Sequence, residues 1–134
     1  MIHREDAEQK ALIQWADIAP MPSSLVLHPG AKVGEYLFAI PNGGFRHGRE
    51  AARFKGLGVR AGVSDLFFAF PSPGATVKHG LFIEMKASPG HGARVSKQQQ
   101  VFIDRMLSAG YEAVVCYGWP SARQAINKYL RYDL

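Results

Sequence analysis

Apolar and polar positions along the chain change period several times, and each change marks an element. Residues 5–18 (EDAEQKALIQWADI) place Leu12, Trp15 and Ala16 on one helical face, with Ala11 and Ile18 beside it. Pro20, Met21 and Pro22 end that helix, because proline cannot donate the next backbone hydrogen bond. Residues 23–34 read as a loop with a turn at Pro29-Gly30. Residues 36–40 (YLFAI) read as a short buried strand, closed by Pro41-Asn42-Gly43-Gly44. A helix is expected over 46–57, with Arg46, Arg49 and Arg53 at spacings of three and four, ending at Gly56 and Gly58.

Two strands follow, near 65–70 (DLFFAF) and 80–87 (GLFIEMKA), joined by PSPGATVKH in a hairpin-like connection. A glycine-rich loop, Ser88-Pro89-Gly90-His91-Gly92, precedes a second amphipathic helix over 96–109, with Phe102, Ile103, Met106 and Leu107 as its core stripe. Residues 111–117 (YEAVVCY) form another strand. A last helix over 121–131 turns Ala122, Ala125, Ile126 and Leu130 inward. This order predicts one mixed α/β domain over residues 1–134, with a central sheet flanked by helices. There is no internal repeat or low-complexity tract.

Composition narrows the function classes. With 47% apolar and 20% charged residues among 134, the chain can bury a core, which excludes a mainly disordered protein. No apolar run reaches the roughly 20 residues of a membrane span, and the N-terminus, MIHREDAEQK, lacks a secretory apolar stretch. A cytoplasmic protein is expected. The single cysteine, Cys116, excludes an internal disulfide and any cysteine-based zinc site. Sixteen Lys and Arg against eleven Asp and Glu give +5, which favours a polyanionic partner without requiring one.

Candidate chemistry centres on strand 80–87. Side chains alternate along a strand, so Leu81, Ile83 and Met85 share one face while Phe82, Glu84 and Lys86 share the other. Charges in such apolar surroundings need a partner or a metal; a structural Glu84–Lys86 pair is one reading. Asp65 supplies another, because hairpin pairing would bring it beside Glu84, where two carboxylates repel unless a divalent cation lies between them. Magnesium suits hard oxygen ligands, and Lys86 would then orient the attacking water or stabilise developing charge. Taken alone, Asp65 also fits a turn or cap.

Further residues admit two readings each. Ser96-x-x-Gln99 fits a helix capping box, and Gln99 could equally reach Lys86, a ligand water or a phosphate. Glu5, four residues before Gln9 and close to Glu8, could supply a further metal ligand or only complement the first-turn dipole. Arg46, Arg49, Arg53, Lys55 and Arg60 suit phosphate oxygens, the alternative being a solvated face in which Glu50 pairs with a neighbouring arginine. His47, His79 and His91 have no metal-ligand spacing, although His91 could lie near a substrate. No phosphate-cradling or dinucleotide fingerprint is present.

Three segments together carry a family resemblance: residues 40–44 (IPNGG), 52–55 (ARFK) and 58–66 (GVRAGVSDL). They continue through 80–86 (GLFIEMK), Ser96-x-x-Gln99 and Ala109-Gly110-Tyr111. Across about residues 5–130 the chain resembles the VRR-NUC (virus-type replication-repair nuclease) domain, in its stand-alone phage and bacterial form. The resemblance implies the PD-(D/E)xK restriction-endonuclease-like fold and Mg²⁺- or Mn²⁺-dependent endonuclease hydrolysis of DNA. By position Asp65, Glu84 and Lys86 match the catalytic core, Gln99 matches the following glutamine, and Glu5 with Gln9 matches the N-terminal pair, Glu8 being the fallback. Metal ligands would be Asp65, Glu84 and Glu5; Arg46, Arg49, Arg53, Lys55 and Arg60 would hold DNA. Ser64 departs from the family, where a proline usually precedes the aspartate. Stand-alone members are expected to cut branched DNA such as four-way junctions, with flap or single-strand cleavage, or silent nucleic-acid binding, as alternatives. Two cuts in a symmetrical junction call for two copies, hence an expected homodimer.

Overall fold

In the computed structural model, which describes residues 4–41, 48–88 and 94–132, the predicted order of elements is the observed one. The chain forms helix α1 (Arg4–Ile18), a 3-10 turn (Val33–Glu35), strand β1 (Leu37–Ala39) and helix α2 (Gly48–Gly56). Strands β2 (Leu66–Phe68) and β3 (Leu81–Lys86), helix α3 (Lys97–Ser108), strand β4 (Glu112–Tyr117) and helix α4 (Trp119–Leu130) follow. The four strands make one mixed sheet in the order β1-β2-β3-β4. β1–β2 and β2–β3 are antiparallel and β3–β4 is parallel, the parallel step being bridged by α3.

Period-two alternation on β3 divides the molecule into two layers. Leu81, Ile83 and Met85 face a core shared with Leu66 and Phe68 of β2 and Cys116 of β4. Leu12 and Ala16 of α1 and Ala122, Ile126 and Leu130 of α4 complete it. At roughly 1.5–3 kcal/mol for each large apolar side chain removed from water, this layer is the main apolar source of stability. The other face of β3 is covered through α3, whose Phe102 meets Phe82 edge-on at 5.2 Å.

The structure moves several predicted details. Ile18 is 74% exposed, because it ends α1 beyond the core stripe. Leu107 is exposed too, leaving Ile103 as the buried member of the α3 stripe. β2 is shorter than the predicted run: Asp65 lies before it, and after Ala69 donates to the Tyr36 carbonyl the chain turns toward Pro71. α4 starts at Trp119 rather than residue 121, with proline in its first turn and Gly118 as N-cap. Tyr129 belongs to the core although the reading of the sequence omitted it. Its hydroxyl donates to the carbonyls of Phe70 (2.6 Å) and Lys78 (3.1 Å), pinning the β2–β3 connection to α4. Among the described residues no helix is long and apolar enough to cross a membrane.

Candidate active site

β3 outlasts β2 toward its C-terminal end. The register pairs Leu66 with Ile83, so one step further Asp65 stands opposite Glu84. Beyond the end of β2 the amide of Met85 would lack a strand partner, and Asp65 supplies one: Met85 N–H donates to Asp65 Oδ2 at 2.7 Å. The backbone of Asp65 is held as well, its carbonyl accepting from Ile40 N–H at 2.8 Å. Asp65 is therefore both a strand terminator and a carboxylate fixed beside β3.

Glu84 is 3% exposed and Lys86 7%. The Glu84 carboxyl is pushed up to about 8, first by burial, next by its hydrogen bond with Asp65 and by the Asp65 charge. Lys86 pulls in the opposite direction and Glu5 adds a further upward push. Glu84 Oε2 lies 4.0 Å from Lys86 Nζ, while Glu84 Oε1 is buried with no hydrogen-bond partner. Two carboxylates against one ammonium leave this buried cluster one unit negative when ionised.

The Lys86 ammonium donates to Gln99 Oε1 at 3.1 Å. The same oxygen accepts Ser96 N–H at 2.9 Å, and Gln99 N–H returns a bond to Ser96 Oγ at 3.1 Å. Both readings of Gln99 thus hold together: it closes the capping box of α3 and anchors the lysine.

Asp65, Glu84, Lys86 and Gln99 are therefore gathered at one end of β3. Glu5 is exposed on the first turn of α1 and reaches the group through its charge on Glu84. Glu8 is engaged elsewhere: Oε2 accepts from Ser88 Oγ at 2.8 Å and Oε1 from Trp119 N–H at 3.0 Å. It ties α1 to the exit of β3 and to the first turn of α4, a role the sequence reading missed. Among the described residues no three His, Cys, Asp or Glu side chains are grouped to hold a metal ion. The carboxylates available to a cation here are Asp65 and Glu84, and magnesium commonly uses one or two carboxylates, with water and phosphate completing its shell. The unpartnered buried Oε1 and the net negative charge fit such a cation.

α2 has no buried residue, so Arg49, Arg53 and Lys55 stand in solvent. Arg60 Nη1 donates to the Lys55 carbonyl at 3.1 Å, placing a cation at the C-terminal end of α2, where the helix dipole favours it. Arg46, Asn42-Gly43-Gly44, His47 and His91 lie outside the described residues. His79 packs on Tyr111 at 5.4 Å rather than joining the carboxylates. Cys116 is buried in the core with its thiol pushed up to about 11 by burial, so it offers no nucleophile.

The sequence profile of the VRR-NUC domain matches residues 5–120. A solved structure described as a VRR_NUC domain protein is similar over 99% of this chain and 95% of its own, at 27% identity and a TM-score of 0.73. No curated protein gives a match.

Proposed function

This chain belongs to the VRR-NUC domain family and is a nuclease-type domain, and from that premise we propose that it is a divalent-metal-dependent endodeoxyribonuclease acting on branched DNA such as four-way junctions. The observation that carries the metal dependence is the Asp65–Glu84 pair, with Glu84 Oε1 buried and unpartnered. Asp65 and Glu84 would hold Mg²⁺ or Mn²⁺, with Glu5 the outlying carboxylate that adds negative charge. When bound, such an ion supplies Lewis acidity at a phosphoryl oxygen and lowers the pKa of a coordinated water.

The remaining work falls to the chain's own groups. Asp65, fixed by the Met85 amide, cannot rotate away from Glu84 without losing a 2.7 Å bond. Lys86, buried and held by Gln99, presents a localised positive charge where negative charge develops on a phosphate under attack. Arg49, Arg53, Lys55 and Arg60, with Arg46 preceding them, would grip the DNA backbone, and binding would weaken steeply with salt. Two copies related by a twofold axis would cut both strands of a symmetrical junction.

The test is a panel of labelled single-stranded, duplex, flap and four-way DNA incubated with Mg²⁺, Mn²⁺ or a chelator. Cleavage of the four-way substrate by wild type with metal, lost in Glu84→Ala while DNA binding persists, is expected. Cutting confined to flaps or single strands would replace the substrate assignment. Binding without cleavage under every condition would leave a silent nucleic-acid-binding module.

A further inference from the structure

One surface beside the site is still without a role. A groove of roughly 690 Å³ runs between the segment preceding Asp65 and one flank of α3. Its floor is apolar, formed by Val63, Val101, Phe102 and Met106. Its rim carries Arg60, Lys97 and Arg105, and no carboxylate lines it among the described residues. Val101 is 38% exposed, so this floor is open to solvent.

The two walls meet at Gly62, whose φ of +85° suits glycine. A Cβ at that position would collide with the carbonyl of Gln98, so the close approach that shapes the groove depends on a bare backbone. Val63 lies two residues before Asp65, and Gln98 immediately precedes Gln99. The walls of the groove are therefore chain neighbours of the catalytic carboxylate and of the lysine anchor.

We propose that this groove receives an unpaired nucleotide of the substrate strand, its base on the Val101–Phe102–Met106 floor and its phosphates against Arg60, Lys97 and Arg105. The inference rests on the nucleic-acid reading above and deepens it. An apolar floor inside a wholly basic rim complements a base with its flanking phosphates, since bases stack on aromatic and apolar surfaces while the backbone seeks cations. A base within an intact duplex has both faces covered by neighbours and cannot use that floor without unstacking. A nucleotide leaving a branch point, flap or strand end costs less to expose. The groove would thus make distorted DNA a better ligand than plain duplex.

The experiment measures binding in chelator, so that cleavage is not needed, on a blunt duplex and on the same duplex carrying a short unpaired tail. Wild type is expected to prefer the tailed DNA by on the order of tenfold. Val101→Asp should erase that preference, weakening tail binding much more than blunt-duplex binding. The exposed pair Lys97→Ala/Arg105→Ala should weaken tail binding more than duplex binding and flatten its salt dependence. A tail containing 5-iodouracil should photo-crosslink to α3 at Phe102 or Met106. Equal preference in wild type and both variants, or crosslinks mapping only to α2, overturns the assignment. A dimer that dissociates in Val101→Asp with tail preference intact gives the groove to a second copy and also overturns it. Groove-dependent binding without cleavage by wild type in metal would keep this inference and remove the nuclease activity; cleavage with no effect of the groove variants would do the reverse.

Discussion

The Lys86 ammonium and the Gln99 side-chain oxygen are 3.1 Å apart, and that oxygen simultaneously accepts the Ser96 amide. One acceptor therefore joins the helix cap of α3 to a buried cation on β3. Gln99→Ala removes both contacts. Loss of the cap alone costs about 1 kcal/mol, readable as a lowered melting temperature. Ser96→Ala shares most of that stability loss but leaves an acceptor for Lys86. Single-turnover cleavage should fall roughly ten- to a hundredfold in Gln99→Ala and little in Ser96→Ala. Equal losses in the two variants would reduce Gln99 to a cap.

Glu84 makes stability depend on pH in a definite direction. Its carboxyl is raised in the folded protein from 4.5 to about 8, so between those values the native state binds a proton that the unfolded chain has released. The contribution is fully present below about pH 4.5 and is lost as pH rises through about 8. Without divalent ions, chemical denaturation should show declining stability across that window, relative to Glu84→Gln, which has no carboxyl to titrate. Saturating Mg²⁺ or Mn²⁺ should flatten the decline, because the ionised carboxylate then has a counter-charge. A slope identical in wild type and Glu84→Gln contradicts the assignment.

Asp65→Asn separates charge from hydrogen bonding. The asparagine oxygen can still accept the Met85 amide, so the fold should survive with a stability change of about 1 kcal/mol or less. Removing the Asp65 charge removes one cause of the raised Glu84 carboxyl, so its titration should move to lower pH, as followed by infrared or NMR. Cleavage should fall by at least a hundredfold. Full activity in this variant would remove Asp65 from the metal site.

Glu8 ties α1 to Ser88 and to Trp119 through both of its carboxylate oxygens. Glu8→Ala abandons the Ser88 hydroxyl and the Trp119 amide together and should destabilise the protein by about 1–3 kcal/mol in urea unfolding. Glu8→Gln, which keeps an acceptor, should lose less. If metal affinity fell in Glu8→Ala without any change in stability, Glu8 would have to be moved to the metal site.

Ser64 is 1% exposed and its hydroxyl finds no partner. A buried unsatisfied hydroxyl is a net cost, so Ser64→Ala should be neutral or stabilise by up to about 1 kcal/mol, with cleavage intact. A marked loss of stability would mean that the hydroxyl is bonded in solution.

The sequence alone determined the order of elements, because a core face imposes period two on a strand and near-3.6 on a helix whatever surrounds them. It also exposed the Asp65, Glu84 and Lys86 set, since acidic and basic residues in an apolar strand are costly and therefore conspicuous. Other assignments waited on contacts between segments remote in the chain. Glu5 and Glu8, three residues apart on one face of α1, are equivalent by spacing, and only the packing of α1 against Ser88 and Trp119 distinguishes strut from outlying charge. Gln99 had two local explanations that the tertiary structure makes one, because a single oxygen reaches both partners. The basic groove was invisible in the sequence, since Arg60 and α3 are separated by more than thirty residues and meet only where Gly62 lets two backbones touch. Local periodicity is written by nearest neighbours along the chain, whereas a site is written by distances in space, and these are fixed only once the layers have packed.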